Sequence, residues 1–269
     1  MDIREFWKKI DLSSEVIEKA LQLNIAEPEY QRLRLVYKQK HQEFFDEVLK
    51  KENSPMWFLY LYSRMACEVY FQYQECGISD EIFQATFNDI SYWCDNYQRE
   101  YGSFGLGEYG WFTRHLDMTL LRLGRLQFEE MEMEYTVGDG EDRIEKGTPV
   151  INIHIPQGEP LIWDECEKSI SMARERWGIE KRYVCHSWLL YPDLSDVLSE
   201  HSNIREFARH FKVLRTDFNE REAEWRIFGK VLKNVIDYPE TTGLQRNAKK
   251  YLLEGNCLGN GWAVLESIF

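Results

Sequence analysis

The amino-acid sequence predicts an all-helical N-terminal domain over residues 1–118 and a mixed α/β C-terminal domain over residues 119–269. In the first part, apolar residues recur at steps of three and four between helix-capping signals. In the second part, short alternating or β-branched apolar stretches lie between helical segments, which is typical of a mixed sheet with flanking helices. The chain has 269 residues, of which 43% are hydrophobic, so both parts can bury a core.

Capping residues divide the N-terminal domain into helices. Ser54 and Pro55 begin a helix in which apolar residues cover every face, and such a helix belongs at the centre of a bundle. Ser13 and Ser14 are predicted to cap a short first helix. The helices predicted after it cover residues 28–51, 54–77, 79–101 and 108–118.

The periodicity changes to that of a sheet after residue 118. Apolar and polar side chains alternate over residues 126–133, with a change of phase at Glu129 and Glu130 that predicts a β-bulge. The predicted strands are residues 126–133, 150–155, 183–190, 212–218, 225–228 and 261–265, and the predicted helices are residues 164–177, 203–211 and 241–253. This order predicts helices that flank a single sheet.

The charge and the apolar runs exclude several classes of partner. The net charge of −13 is spread over both domains and repels a polyanion, so we expect no nucleic-acid partner. The first residues carry charges where a secretory signal needs an apolar core. The most apolar run, residues 55–62, is too short to span a bilayer. We therefore expect a cytoplasmic protein without a membrane partner, whose oligomeric state the sequence leaves open.

The sequence lacks the spacing of disulfide, dinucleotide and zinc motifs. The six cysteines are widely scattered without a Cys-x-x-Cys pair, which predicts free thiols. A Gly-x-Gly-x-x-Gly string occurs at Gly105, Gly107 and Gly110, but a predicted helix precedes it where a dinucleotide site needs a strand. No His-x-x-x-His or His-Glu-x-x-His spacing occurs, so we expect no metal.

Several short strings in both domains carry a resemblance to known proteins. They are residues 111–112 (WF) with His115, 123–129 (LGRLQFE), 152–156 (NIHIP), 185–192 (CHSWLLYP), 202–204 (SNI) and 242–246 (TGLQR). Together they resemble a bacterial family that joins a helical N-acyltransferase N-terminal domain to a GNAT-like C-terminal domain. The resemblance covers nearly the whole chain. It implies a GNAT-like mixed sheet and an N-acyltransferase that moves an acyl group from acyl-CoA or acetyl-CoA to a small amine.

The resemblance also implies where the CoA thioester binds. The pantetheine arm would pair with the strand over residues 150–155, so that Ile153 and Ile155 are expected to contact it. The pyrophosphate would lie on the backbone of the following loop, at Gln157 and Gly158, where a helix begins. The loop departs from the usual Gln/Arg-x-x-Gly-x-Gly pattern, because Gly158 is its one glycine and Glu159 is acidic.

Acyl transfer to an amine needs a base, since the amine loses a proton as it attacks the thioester. His186 and His154 lie on two predicted strands of one sheet, with Glu129 as a neighbour, and histidine titrates near neutral pH. Both positions also fit structural histidines. Cys185 and His186 cannot form a nucleophilic pair, because adjacent strand residues point to opposite faces.

A substrate pocket is expected in a cleft between the helical domain and the sheet. Its predicted residues are Trp111, His115, Trp188 and Arg125, of which Arg125 would anchor a carboxylate or phosphate, or else form a surface ion pair. The alternative hypothesis is a non-catalytic module on a degenerate GNAT fold that binds a small molecule. The missing loop glycines and the acidic loop favour this alternative, because a fold does not fix a function.

Overall fold

The computed structural model describes residues 1–266, and the chain divides into two compact units, Met1–Leu123 and Gly124–Phe269. Residues 267–269, the end of the predicted C-terminal domain, lie outside the described part. Each unit buries its own hydrophobic residues. Among residues 1–266, no helix combines the length and the apolar composition that crossing a bilayer requires.

The first unit consists of helices and one terminal strand. Its elements are α1 (Ile3–Lys9), α2 (Ser14–Gln22), α3 (Glu27–Gln39), α4 (His41–Val48), α5 (Ser54–Glu75), α6 (Asp80–Phe87), α7 (Asp89–Tyr101), a 3₁₀ turn (Tyr109–Phe112), α8 (Thr113–Leu116) and β1 (Leu120–Leu123). α5 begins with Pro55 in its first turn and contacts α1, α2, α3, α4 and α6, which confirms the predicted central helix. Buried aromatic rings from these helices form the core.

Two of the predicted long helices are each divided in the structure. The helix predicted over residues 28–51 is interrupted at Lys40, which has extended dihedral angles (φ −156°, ψ 103°). The helix predicted over residues 79–101 is divided at Asn88. The apolar stripe continues across the first break because Tyr37 and Phe44 still pack together, with ring centroids 5.3 Å apart. Periodicity alone therefore did not reveal the break.

The second unit contains a sheet with flanking helices. Its strands are β2 (Leu126–Glu132), β3 (Pro149–His154), β4 (Tyr183–Ser187), β5 (Phe211–Asp217) and β6 (Asn260–Leu265), and its helices are α9 (Trp163–Trp177), α10 (Asn203–Ala208), α11 (Glu222–Phe228) and α12 (Gly243–Leu253). These strands lie in the order β2-β3-β4-β6-β5. β3 and β4 are parallel and joined by α9, whereas the other neighbouring pairs are antiparallel. The predicted mixed sheet is confirmed.

The structure corrects the predicted bulge in β2 and contains one strand, β1 of the first unit, that the sequence analysis missed. β2 pairs with β3 without a break in register, from Gln127 with His154 to Glu132 with Pro149, so the predicted bulge at Glu129 is wrong. The change of phase arises because both faces of the first half of β2 are buried, including Gln127 and Glu129. β1 was missed because all four of its residues are buried and show no alternation.

Two further predicted strands are corrected. Residues 225–228 belong to helix α11, in which Ala223, Ile227 and Phe228 turn one buried face into the core. The strand predicted over residues 183–190 ends at Ser187. There the side-chain oxygen of Ser187 accepts a hydrogen bond from the Leu189 backbone N–H and begins a 3₁₀ turn over Trp188–Leu190. The predicted cap of α12 at Thr242 is confirmed as a full capping box.

Candidate active site

The parallel strands β3 and β4 are paired over a short length only. Their register contains two Cα pairs, and the last one joins Asn152 to Val184. β3 continues to His154 and β4 continues to Ser187, yet no further pair joins the two strands among the residues that the structure describes. The paired register of the two strands therefore ends here, and the unpaired region beyond it, residues 153–154 of β3 and 185–187 of β4, is called the gap.

Main-chain groups of both strands face this gap. The backbone N–H of Ile151 donates to the carbonyl oxygen of Arg182 at 2.9 Å, so both residues direct their main-chain groups toward the other strand. The direction of these groups alternates along a strand. In this register the N–H of Ile153 is used by the last pair, where it donates to the carbonyl oxygen of Val184. The carbonyl oxygen of Ile153 on β3 and the main-chain groups of His186 on β4 consequently point into the gap.

The side chains of His154 and His186 lie on the same face of the sheet. Asn152 and Val184 are direct register partners and share a face. Each histidine follows two residues after one of these partners, and side chains two apart in a strand point the same way. Cys185 points to the opposite face and is fully buried, and burial raises the pKa of its thiol well above its usual range.

His186 is held by a carboxylate and an indole ring. Its Nε2 lies 2.9 Å from Oδ2 of Asp217, the buried last residue of β5. Its ring stacks on Trp262 with centroids 4.7 Å apart and planes 15° apart. The side chain of His186 keeps 30% of its surface exposed. An ionised carboxylate only accepts hydrogen bonds, so Nε2 carries the hydrogen and Nδ1 is left as the proton acceptor.

A β-bulge in β5 places Asp217 on this face. β5 pairs Val213 with Ala263 and then Arg215 with Trp262, so Leu214 is an extra residue in the ladder. One extra residue turns every later side chain to the other face of the strand. Asp217 thereby points to the same face as Trp262 and reaches His186 across β6.

His154 forms a second imidazole–carboxylate pair. Its Nε2 lies 2.8 Å from Oε2 of Glu129 on β2 and 3.2 Å from Nδ2 of Asn152. Glu129 and Asn152 are register partners and both are buried. The three predicted catalytic residues, His154, Glu129 and His186, therefore lie on one face of the sheet. His154 is paired with Glu129, and His186 is paired separately with Asp217.

The predicted cofactor-binding residues follow one another on β3 and in the loop that leads to α9. Ile153 is buried within β3, and Ile155 lies directly after its end. Gln157 and Gly158 are exposed in the loop, where Gly158 has a φ of 118° that other residues rarely adopt. α9 begins after Ile162, whose side chain makes no capping hydrogen bond to the first turn of the helix.

Arg125 lies beneath this loop instead of on the surface. Its Nε donates to the carbonyl oxygen of Pro160 at 3.1 Å and its Nη1 donates to that of Pro156 at 3.0 Å. Its backbone N–H donates to Oγ of Ser169 in α9 at 2.8 Å. The side chain is buried, so Arg125 does not lie on the surface as the alternative of a surface ion pair assumed.

The two predicted pocket residues of the first unit both contact the buried carboxylate of Asp89. His115 has no exposed surface, and its Nε2 lies 3.2 Å from Oδ2 of Asp89. Trp111 Nε1 donates to the same oxygen at 3.0 Å. Phe87 and Phe112 pack against the imidazole. A role for His115 and Trp111 in a substrate pocket stays a prediction, and the burial of His115 does not support it.

Trp188 occupies the first position of the 3₁₀ turn after β4. It is partly buried and packs against the cluster of apolar residues around Leu194 and Tyr238. Asp217, Trp262 and Asn152 were missed by the sequence-based predictions. The signal for Asp217 was a carboxylate at the end of a predicted strand, but nothing local indicates which histidine it contacts.

Metal chemistry has no obvious ligand set in the described structure. Residues 1–266 contain no group of three or more histidine, cysteine, aspartate or glutamate side chains arranged to hold a metal ion. The six cysteines are free and include the exposed Cys76 and Cys257.

Comparisons with known proteins identify both domains. A family model described as an N-acyltransferase N-terminal domain matches residues 1–118, and one described as a GNAT-like C-terminal domain matches residues 120–265. No curated protein matches the chain.

Solved structures of acyltransferases share the fold. One in complex with decanoyl-CoA has a TM-score of 0.77 at 20% identity, covering 98% of this chain and 87% of that chain. Another, in complex with decanoyl-CoA and teicoplanin, has a TM-score of 0.76 at 21% identity, covering 97% and 86%. A mutant acyltransferase in complex with octanoyl-CoA has a TM-score of 0.78 at 20% identity, covering 98% and 87%.

Proposed function

Because this chain belongs to the family that joins an N-acyltransferase N-terminal domain to a GNAT-like C-terminal domain, we propose that it transfers an acyl group from an acyl-CoA to a small-molecule amine. The observation that carries the proposal is the gap between β3 and β4. There the carbonyl oxygen of Ile153 and the main-chain groups of His186 lie beyond the last register pair of the two strands. An extended pantetheine arm carries amide groups, and its N–H can donate to the carbonyl oxygen of Ile153 as an added strand would.

The loop after β3 supports binding of the CoA pyrophosphate. Exposed backbone at Gln157 and Gly158 leads directly to the N-terminus of α9, which has 15 residues and no side-chain cap. Unpaired N–H groups and the helix dipole favour an anion at such a position. The acidic Asp164 and Glu165 in the first turn of α9 oppose this attraction, so we expect weaker CoA binding than a basic or glycine-rich loop would give.

His186 is the proposed base. The acceptor nitrogen attacks the thioester carbonyl carbon, the new C–N bond forms, and the C–S bond breaks. Nδ1 of His186 takes the proton from the nitrogen, and the resulting imidazolium supplies a proton to the CoA thiolate. Asp217 stabilises the imidazolium and fixes which ring nitrogen carries the hydrogen.

His186 is favoured over His154 for two reasons. Its main chain faces the gap in which the thioester would lie, whereas His154 is on the strand that holds the arm. Its side chain is also more exposed, 30% against 21%, and two partners converge on Nε2 of His154. His154 and Glu129 therefore serve as a polar support for β3 in the proposed mechanism.

A small-molecule acceptor and a medium-length acyl chain are the first to test. Acyltransferases of the same fold have been crystallised with octanoyl-CoA and decanoyl-CoA, and in one case also with teicoplanin. The low identity to those proteins leaves the acceptor of this chain to experiment, so a panel of small amines is needed alongside acetyl-, octanoyl- and decanoyl-CoA.

The test measures CoA release with the amine panel, together with thermal unfolding in the presence of each acyl-CoA. We expect the wild-type protein to be stabilised and to release CoA, and His186→Asn to bind acyl-CoA with turnover reduced about 100-fold or more. His201→Asn changes an exposed histidine outside the site and is the matched control. Stabilisation without turnover of any amine would favour the alternative binding module, and no stabilisation at millimolar acyl-CoA would reject the proposal.

A further inference from the structure

The loop that connects β3 to α9 is held at both ends by one side chain. This loop has the sequence Pro156-Gln157-Gly158-Glu159-Pro160, and the two prolines accept hydrogen bonds through their carbonyl oxygens from Nη1 and Nε of Arg125. The two bonds come from different nitrogens of a rigid planar group, so together they set the distance between the ends of the loop.

The same residue fixes the loop relative to α9. The backbone N–H of Arg125 donates to Oγ of Ser169, which in turn donates to the carbonyl oxygen of Glu165 one turn earlier in the helix. Gly124, directly before Arg125, has a φ of 66°, and a Cβ atom there would lie 2.9 Å from Oγ of Ser169. The turn that carries Arg125 is therefore packed closely against the helix whose N-terminus follows the loop.

The carbonyl oxygens of Pro156 and Pro160 point inward to Arg125, and the three residues between the prolines face the solvent. Gln157, Gly158 and Glu159 are all exposed, and proline restricts the backbone at both ends of this segment. The loop presents exposed backbone from a fixed position, even though it contains a single glycine. Arg125 also brings a permanent positive charge to a loop whose own side chains are neutral or acidic.

We infer that Arg125 is a positioning residue for the pyrophosphate-binding loop and takes the place of the loop glycines that this chain lacks. The inference rests on the proposed function, because it assigns the loop to the pyrophosphate of an acyl-CoA. Arg125 acts through the backbone of residues 156–160 and has no part in proton transfer.

The experiment compares a thioester that carries the pyrophosphate with a short one that does not reach the loop. Octanoyl-CoA carries the pyrophosphate, whereas S-octanoyl-N-acetylcysteamine keeps the thioester and one amide and lacks the rest of the CoA molecule. KM and kcat are measured for both with wild-type protein, Arg125→Met and Arg125→Lys. Arg221→Met is the matched control, because Arg221 donates to the carbonyl oxygen of Leu232 and so supports a different loop of the same unit.

In Arg125→Met, we expect KM for octanoyl-CoA to rise about 10- to 100-fold, with kcat changed little and with both constants for the short thioester unchanged. Arg125→Lys keeps the charge and cannot span both carbonyls, so its KM for octanoyl-CoA should lie between those of the wild-type protein and Arg125→Met. If Arg125→Met does not fold, Arg125→Lys tests the inference in its place. Arg221→Met should lower the melting temperature without this selectivity.

A parallel loss for both thioesters in Arg125→Lys, or an unchanged KM for octanoyl-CoA in either folded variant, would overturn the positioning role. If the wild-type protein turns over neither thioester and does not bind octanoyl-CoA, the proposed function fails and this inference fails with it. Turnover of both thioesters by the wild-type protein, with no selective effect of the Arg125 variants, leaves the proposed function standing and rejects the inference alone.

Discussion

Asp217 contacts His186 from two strands away, with 2.9 Å between Oδ2 and Nε2. β4 carries the histidine, β6 lies between, and β5 carries the aspartate. The bulge at Leu214 turns Asp217 to the face of the histidine, and Trp262 of the intervening strand stacks against the imidazole. The imidazole is thus fixed on two sides while part of its surface remains exposed.

Asp217→Asn should reduce kcat by about tenfold or more, because the amide cannot stabilise the imidazolium as a carboxylate does. KM for the acyl-CoA should change little, since Asp217 faces the histidine and not the gap. Steady-state CoA release measures both constants. Asp196→Asn, at an exposed position of the same unit, is the control, and an equal loss of kcat in both variants would argue against the assigned role.

Gly261→Ala should destabilise the protein by roughly 2–3 kcal/mol. A Cβ atom at this position would lie 2.3 Å from the carbonyl oxygen of Leu190, which is backbone and cannot move aside as a flexible side chain can. Urea denaturation measures the free energy of unfolding. Gly243→Ala, where the added atom meets a side chain at an ordinary 3.8 Å, should change it by less than about 0.5 kcal/mol.

Asp89→Ala should destabilise the first unit by roughly 2–4 kcal/mol, because the buried carboxylate accepts hydrogen bonds from Trp111 and pairs with His115. Asp95→Ala changes an exposed residue of the same helix, α7, and should have little effect. Thermal and urea unfolding followed by tryptophan fluorescence detect the difference. Similar stabilities of the two variants would contradict a structural role for this cluster.

The carboxylate of Glu29 should contribute to stability in a pH-dependent way. Hydrogen bonds from Arg32 and Lys51 lower the pKa of Glu29 to about 2. A carboxyl group whose pKa is lower in the folded state stabilises the protein above its unfolded pKa, and this contribution is lost as the pH falls from about 4.5 to about 2.

Glu29→Gln should therefore cost less than about 1 kcal/mol at pH 7, since the pair is near the surface, and much less near pH 2. Urea denaturation of the variant and the wild-type protein at several pH values measures the difference in unfolding free energy. Glu52→Gln, at an exposed position of the same unit, is the control. A difference that stays constant from pH 7 to pH 2 would contradict the expected linkage.

Much of the site's framework could be predicted from local patterns. The β-branched run of β3, the capping box at Thr242 and the helix after Ile162 all follow from neighbouring residues, and the structure confirms these elements. His154 and His186 were expected on strands of one sheet, and they lie on one face of it.

The remaining features depend on contacts between distant parts of the chain. Asp217 reaches His186 because β6, the last strand, inserts between β4 and β5, and because β5 contains a bulge. The sequence analysis predicted a bulge in β2 and none in β5. Arg125 lies 31 residues from Pro156 and 35 from Pro160, so its bonds to both carbonyls have no local signal. α11 was taken for a strand because four apolar-rich residues are too few to separate the two periodicities.

The central claim is that the thioester arm of an acyl-CoA lies in the gap between β3 and β4. A crystal structure of the His186→Asn variant with octanoyl-CoA tests it directly. The account predicts hydrogen bonds between a pantetheine amide and the main chain of Ile153, the thioester beside residue 186, and the pyrophosphate at residues 157–163. Octanoyl-CoA bound elsewhere on the protein, with this gap empty, would contradict it.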